Sequence, residues 1–176
     1  MSDRDIWPWP ELPELVAKQL ALIEAEEAEE DEEEGADGER VDLATGEVTE
    51  ENVTRPWNLP ALGDSEFADA VFGWLDDVVM WLNYSYGWQE EQIIPACWQQ
   101  HQGLACDLAA IAFGRLDAYN PPTPGYAGRW HSDLEDFYRR MITALGDAGR
   151  DCRRGAHTRP SEYALKAVQT TIMARR

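Results

Sequence analysis

Apolar residues recur at three- and four-residue spacing along most of the chain, which is the period of an α-helix that buries one face. The pattern covers residues 64–86, 95–119 and 129–146, with Gly- and Pro-containing breaks between them. A further stretch of this kind fills residues 160–176, where Pro160 suits a first helical turn. No stretch alternates as a sheet strand does. The pattern predicts an all-α fold, a bundle of three long helices plus a C-terminal helix.

The first 63 residues follow a different pattern. Residues 12–23 can form one short amphipathic helix, and the acidic run 24–34 follows it directly. Glutamates at i and i+4 repel one another, so we expect the helix to fray into disorder there. Residues 35–63 are predicted to be a linker. The chain is therefore divided into an acidic, largely unstructured N-terminal arm (residues 1–63) and a helical domain (residues 64–176).

The formal net charge of −19 belongs almost entirely to the N-terminal part of the chain. Residues 1–69 hold 22 acidic and 4 basic residues, whereas the rest of the chain is close to neutral. Three roles are open for the acidic run: solubility, docking of a basic protein partner, and mimicry of DNA. Mimicry requires carboxylates fixed at phosphate-like spacing across a surface. Direct nucleic-acid binding by the whole protein is disfavoured by its negative charge.

The hydropathy pattern also bears on location. No uncharged apolar run approaches the roughly 18 residues of a membrane span. The N-terminus lacks the basic start and apolar core of a secretory signal. The three cysteines cannot all pair with one another. We therefore expect a cytoplasmic protein with no membrane partner, whose thiols are free or bound to metal.

Every cysteine and histidine lies between residues 97 and 157, and four of them form two close pairs. Cys97 precedes His101 by four positions, and Cys152 precedes His157 by five. On a helix Cys97 and His101 would share a face, and the second pair would complete the Cys2His2 set that zinc prefers. The favoured interpretation is that no cofactor is bound, because cysteines commonly pack as small apolar core residues and histidines make structural hydrogen bonds. Zinc is the alternative.

The remaining cysteine and histidine are not ligand candidates. Cys106 is flanked by apolar residues and is expected in the core, and His131 is expected to bond between helices. An enzyme would require an open cleft that joins His101, His131 and a carboxylate. The chain contains no phosphate-binding loop, dinucleotide glycine pattern, HExxH or nucleophile elbow. Asp76 and Asp77 are carboxylates that could act in acid–base catalysis, but a polar helix face is the favoured interpretation.

Eight tryptophans are many for a chain of this length. Those in the helical stretches are expected in the core. Trp7, Trp9 and Trp57 lie beside prolines in the N-terminal arm, where no core requires them. They either dock on the bundle or act as anchors for another protein, because aromatic anchors carry much of the energy of protein interfaces.

Six short sequence motifs follow one another within residues 66–157. They are Trp81-Leu82, Tyr86-Gly87-Trp88, Ile94-Pro95-Ala96-Cys97-Trp98 with His101, Ala118-Tyr119, Trp130-His131, and Cys152 with His157. This order resembles a group of small actinobacterial proteins that occur in plasmids, phages and integrative conjugative elements. The N-terminal third lies outside the resemblance, and Cys106 has no place in its pattern. The resemblance implies a mobile-element setting and no mechanism.

Together these features predict a non-enzymatic accessory or interaction protein of an actinobacterial mobile element or phage. Its partner would be another protein, bound through the arm or the helical bundle. Two alternatives remain open, an acidic DNA mimic that inhibits a nucleic-acid enzyme and an enzyme with a histidine and carboxylate site.

Overall fold

The computed structural model of the chain describes residues 6–34, 54–121, 123–157 and Met173. Five α-helices lie within this part: α1 (Glu14–Glu34), α2 (Glu66–Tyr86), α3 (Gln102–Tyr119), α4 (Pro124–Leu145) and α5 (Ala148–Arg153). Three short 3₁₀ turns occupy Leu59–Ala61, Glu90–Gln92 and Trp98–Gln100.

The all-α prediction is confirmed, because the described residues contain helices and no strand. Three long helices correspond to the three predicted between residues 64 and 146. The predicted C-terminal helix lies outside the described residues, apart from Met173, which is helical and exposed. None of the helices in the described part combines the length and apolar character that crossing a membrane requires.

Helix α2 supplies much of the core and has the limits that its sequence predicts. Ser65 caps its start, since its hydroxyl accepts the backbone N–H of Ala68 at 3.1 Å. The helix ends at Gly87. This position requires glycine, because a Cβ there would lie 2.3 Å from the carbonyl oxygen of Asn83 and 2.5 Å from Cδ1 of Ile93. Its buried face consists of Ala68, Val71, Trp74, Leu75, Val78, Val79, Trp81 and Leu82.

Helices α3 and α4 pack along each other after a short connection. Pro124 stands in the first turn of α4, so the helix starts within the segment 120–128 that the sequence assigns to a break. The indole N–H of Trp130 donates to the carbonyl of Ile111 across this interface at 2.9 Å, deep in the core. Gly146, with a φ of +48°, ends α4.

The beginning of the N-terminal arm packs on the bundle. The indole N–H of Trp81 donates to the carbonyl of Trp7 at 2.9 Å, and that of Trp74 donates to Pro10 at 3.3 Å. Val16 and Ile23 of α1 are buried. Residues 7–23 therefore add to the helical body, although the sequence places them in a separate arm.

Helix α1 continues through the acidic run to Glu34. The sequence predicts that the helix frays after Ile23, but the backbone stays helical to Glu34. Glutamate is a good helix former, and each repulsive i,i+4 pair costs only a few tenths of a kcal/mol, about 0.2–0.5. The helix propensity of the run therefore outweighs its charge repulsion.

Candidate metal centre

Four side chains from two distant parts of the chain converge beside the start of α3. They are Cys97, His101, Cys152 and His157, and their sulfur and ring nitrogen atoms all lie within 4.8 Å of one another. These are the four metal candidates that the sequence predicts. Two zinc–sulfur bonds of about 2.3 Å separate sulfur atoms by about 3.8 Å in a tetrahedral site, so a separation of about 7 Å would exclude a shared ion. The ligand atoms here are close enough not to be excluded in this way.

The ring of His101 lies between the two cysteines. Its Nε2 atom is 3.5 Å from Sγ of Cys97 and 3.4 Å from Sγ of Cys152. A tetrahedral ion with bonds of about 2.0–2.3 Å separates neighbouring ligand atoms by about 3.3–3.8 Å. These two edges thus have the length of a tetrahedral metal site, and the four residues could hold a metal ion.

The fourth residue, His157, has a ring centroid 4.8 Å from that of His101. Its Nδ1 atom is buried and has no hydrogen-bond partner in the part of the chain that the structure describes. A buried polar atom without a partner is costly, by about 1–3 kcal/mol. A metal ion in the cluster would remove that cost if this nitrogen were a ligand.

The prediction that Cys97 and His101 lie on one face of an α-helix is wrong. Residues 97–101 are not part of an α-helix, because Trp98–Gln100 form a 3₁₀ turn and α3 begins only at Gln102. His101, at φ −109° and ψ 85°, is the residue before the first helical turn. Cys97 and His101 nevertheless meet, because the tight turn folds the two side chains toward each other.

Helix α2 holds this turn in place. The side-chain amide of Asn83 accepts the backbone N–H of Ile94 at 2.8 Å and donates to its carbonyl at 3.0 Å. The indole N–H of Trp98 donates to Oδ1 of Asp76 at 2.8 Å, and its ring stacks on Phe72. Ile94 and Trp98 are both 1% exposed. These tertiary contacts override the helical pattern that continues through residues 95–101.

Replacing Asn83 with alanine is expected to lower the free energy of unfolding by about 1–3 kcal/mol, because the buried backbone of Ile94 loses both partners. Urea denaturation at a fixed zinc concentration measures the change. Asn120→Ala is the matched control, since Asn120 is exposed, and it should shift stability by less than about 0.5 kcal/mol. Equal stability of the Asn83 variant and the wild type would contradict the assigned role.

The short helix α5 carries the second pair. Cys152 is 1% exposed. The chain reverses after α5 at Gly155, whose φ is +85°, and this turn returns His157 toward Cys152. A guanidinium N–H of Arg153 donates to the carbonyl of Glu91 at 3.4 Å and ties α5 to the loop after α2.

Burial favours the neutral form of two members of the cluster, Cys97 and His101. It raises the pKa of the Cys97 thiol, and the neighbouring thiol of Cys152 raises it further. Burial lowers the pKa of His101, with a second contribution from His157. Without a metal ion, the protonated thiol and the neutral imidazole are both favoured. A neutral imidazole can bind a metal directly, whereas the thiol must first lose its proton.

The other sequence candidates lie outside the cluster. Cys106 is half-buried on α3 and is not one of the buried core residues, so its expected place in the core is wrong. Nε2 of His131 is 3.1 Å from the hydroxyl of Tyr119, so the predicted hydrogen bond between helices is confirmed. Asp76 accepts hydrogen bonds from Trp98 and Gln99 and has a structural role.

The three tryptophans of the arm differ in exposure. Trp9 packs edge-on against Trp81, with ring centroids 4.9 Å apart, so it docks on the bundle. Trp57 contacts Phe113 and is 38% exposed. Trp7 is 45% exposed and contacts Tyr84, which is itself 66% exposed. Only Trp7 and Trp57 therefore keep a substantial surface that a partner could reach.

Two residues of α2 position the first pair, and the sequence indicates neither role: Asp76 is expected only on a polar helix face, and Asn83 is not singled out. Asn83 and Asp76 are polar residues on a helix whose buried face is strongly apolar, which is their only sequence signal. Comparison with known proteins does not identify a related metal site. The chain matches no family model, no curated protein and no solved structure.

Proposed function

We propose that Cys97, His101, Cys152 and His157 bind one structural zinc ion, and that the protein is a non-enzymatic accessory protein that binds a protein partner. The convergence of the four ligand atoms within 4.8 Å is the observation that carries the zinc assignment. Two thiolates and two imidazoles are a donor set typical of tetrahedral zinc.

The ion would act as a clamp. It would join the turn at residues 97–101 to α5, which has only six residues. A helix of this length is not stable by itself in water. Zinc affinity would therefore become folding free energy for residues 148–157.

A closed set of four protein ligands argues against catalysis by the ion. Catalytic zinc keeps one position for water or substrate, and four protein ligands leave none. The enzyme alternative requires His101 and His131 in one cleft. His101 instead contacts the two cysteines, and His131 contacts Tyr119.

An exposed apolar patch supports the interaction role. We call it the Trp7 patch: Ile6, Trp7, Met80 and Tyr84 are exposed by 83%, 45%, 52% and 66%. The rings of Trp7 and Tyr84 meet edge-on at 4.9 Å, and Met80 lies one helical turn before Tyr84. Aromatic residues exposed together are typical of protein interfaces. The acidic segment favours a basic partner, and the resemblance to mobile-element proteins suggests the setting.

Affinity purification from cells that carry the gene tests this role. Tyr84→Ala should lose proteins that the wild type retains, and Trp7→Ala should lose the same set. Tyr126→Ala is the control, because Tyr126 is 54% exposed and lies on α4. Retention of the same proteins by all four chains would exclude the Trp7 patch as the binding surface.

A second candidate function follows from the extension of α1 to Glu34. DNA mimicry requires a row of carboxylates on an ordered backbone. A helix supplies the ordered backbone. In this case, replacing the glutamates of residues 24–34 with glutamine would abolish inhibition of a nucleic-acid enzyme. The Tyr84→Ala chain would keep its inhibition, which separates this function from the Trp7 patch.

A further inference from the structure

A cavity of about 330 Å³ lies between the C-terminal end of α2 and the middle of α4, apart from the metal cluster. Its lining includes Tyr86, Trp88, His131, Glu135 and Tyr138. The volume suits a small group, at the lower end of the range for ligand pockets in proteins.

Tyr138 is the most informative residue of the cavity. Its side chain is buried, at 5% exposure, and its hydroxyl has no hydrogen-bond partner in the described part of the chain. Burial raises the pKa of this phenol, so the hydroxyl is neutral. A neutral phenol can donate one hydrogen bond and accept others. Tyr138 lines the cavity, and a polar group bound there could supply the partner that its buried hydroxyl lacks.

The aromatic wall of the cavity favours a positive charge. Tyr86 and Trp88 form this wall together, with ring centroids 6.1 Å apart and tilted planes. The face of an aromatic ring attracts a cation placed over it. Trp88 is 79% exposed, and its indole N–H donates to the carbonyl of Ser85 at 3.1 Å, which fixes the ring direction. An exposed, oriented tryptophan is well placed to cover a bound group.

Charge supports the same conclusion. Glu135 lines the cavity, is exposed, and makes no ion pair with any residue that the structure describes. Among the residues that the structure describes, no lysine or arginine lines the cavity.

We infer that this cavity binds a primary ammonium group, either of a free alkylamine or at the tip of a lysine side chain. The rings of Tyr86 and Trp88 contact the charge, Glu135 balances it, and the Tyr138 hydroxyl accepts one N–H. The site does not depend on the zinc ion. In its lysine form it rests on the proposed binding of a protein partner.

Titrations followed by the indole N–H signal of Trp88 in NMR spectra test the site with small probes. Nα-acetyl-lysine methylamide should shift the signal, whereas its norleucine counterpart, which lacks the charge, should not. The trimethyl-lysine form keeps the charge but has no N–H to donate, so it should bind more weakly than lysine. n-Butylamine separates the two sources, because weaker binding of n-butylamine assigns the site to lysine and equal binding assigns it to free amines.

Tyr138→Phe is the decisive variant, because it removes one oxygen atom and keeps the ring. It should weaken lysine binding about tenfold, to the level of trimethyl-lysine, and leave trimethyl-lysine binding unchanged. The unliganded variant should melt at a temperature equal to or higher than the wild type, since it no longer buries an unpaired hydroxyl. Glu135→Gln should weaken the binding of both the lysine and the trimethyl-lysine probe, because it removes the negative charge that balances them.

Three results would overturn the inference. They are equal shifts with norleucine, an unchanged preference for lysine over trimethyl-lysine in Tyr138→Phe, and a lower melting temperature of that variant, which would assign the hydroxyl an internal partner. None of these would affect the purification test of the Trp7 patch. The two proposals therefore fail separately.

Discussion

Replacing Cys152 with serine is expected to abolish stoichiometric zinc binding and to release residues 148–157 from the bundle. The side chain is 1% exposed, and its sulfur lies 3.4 Å from Nε2 of His101. In the proposed site, loss of one thiolate would leave three ligands and lower the zinc affinity steeply. The segment would then lose the folding free energy that zinc binding supplies. Zinc content by mass spectrometry and hydrogen exchange of residues 148–157 measure the two effects.

Cys106→Ser is the matched control for this experiment. Cys106 is half-buried and lies outside the cluster, so the variant should keep about one zinc per chain. Chelation of the wild-type protein should reproduce the faster exchange of the Cys152 variant, which separates loss of the ion from loss of packing. Full zinc content in Cys152→Ser, or equal loss in Cys106→Ser, would contradict the assignment.

The second large effect concerns the tryptophan beside the first ligand. Trp98→Ala is expected to lower the free energy of unfolding by about 3–5 kcal/mol. The ring is 1% exposed, stacks on Phe72, and its N–H bonds to Asp76. The substitution removes a large buried ring and leaves the carboxylate without its indole donor. Urea denaturation at a fixed zinc concentration measures the change.

Trp88→Ala tests the same change of residue type at the surface. Trp88 lies ten positions earlier and is 79% exposed, so its loss should shift stability by less than about 0.5 kcal/mol. Similar stability changes in the Trp88 and Trp98 variants would show that Trp98 does not anchor the turn. A large effect at Trp98 alone supports the packing of the turn against α2.

The limits of α2 could be predicted because local signals agree there. Ser65 caps the first turn, apolar residues recur with the helical period, and Gly87 avoids contact with Asn83. Each of these features depends on neighbours in the sequence. Local chemistry alone therefore determined where this helix begins and ends.

The turn at residues 95–101 could not be predicted in the same way. Its apolar spacing continues that of α3, but Ile94 and Trp98 are held by Asn83 and Asp76 of α2. The sequence does not state which backbone groups a helical asparagine will bind. The four candidate ligands could nevertheless be identified from the sequence, because every cysteine and histidine lies in one third of the chain and four of them form two close pairs. The geometry that brings these four side chains together could not be predicted.

The docking of Trp9 illustrates a further limit. A tryptophan between prolines gives no sign of its partner, and the structure places it against Trp81, with the guanidinium of Arg115 4.4 Å from its ring centroid. Sequence patterns identify residues that require burial or a partner. Only the fold determines which of the two they receive.

X-ray absorption of the zinc-loaded protein tests the central claim most directly, because it counts the atoms bound to the metal and measures their distances. Coordination by Cys97, His101, Cys152 and His157 predicts two sulfur atoms at about 2.3 Å and two nitrogen atoms at about 2.0–2.1 Å, in a four-coordinate site. A first shell with fewer than two sulfur atoms, or with bound water in place of a histidine, would contradict a closed structural zinc site.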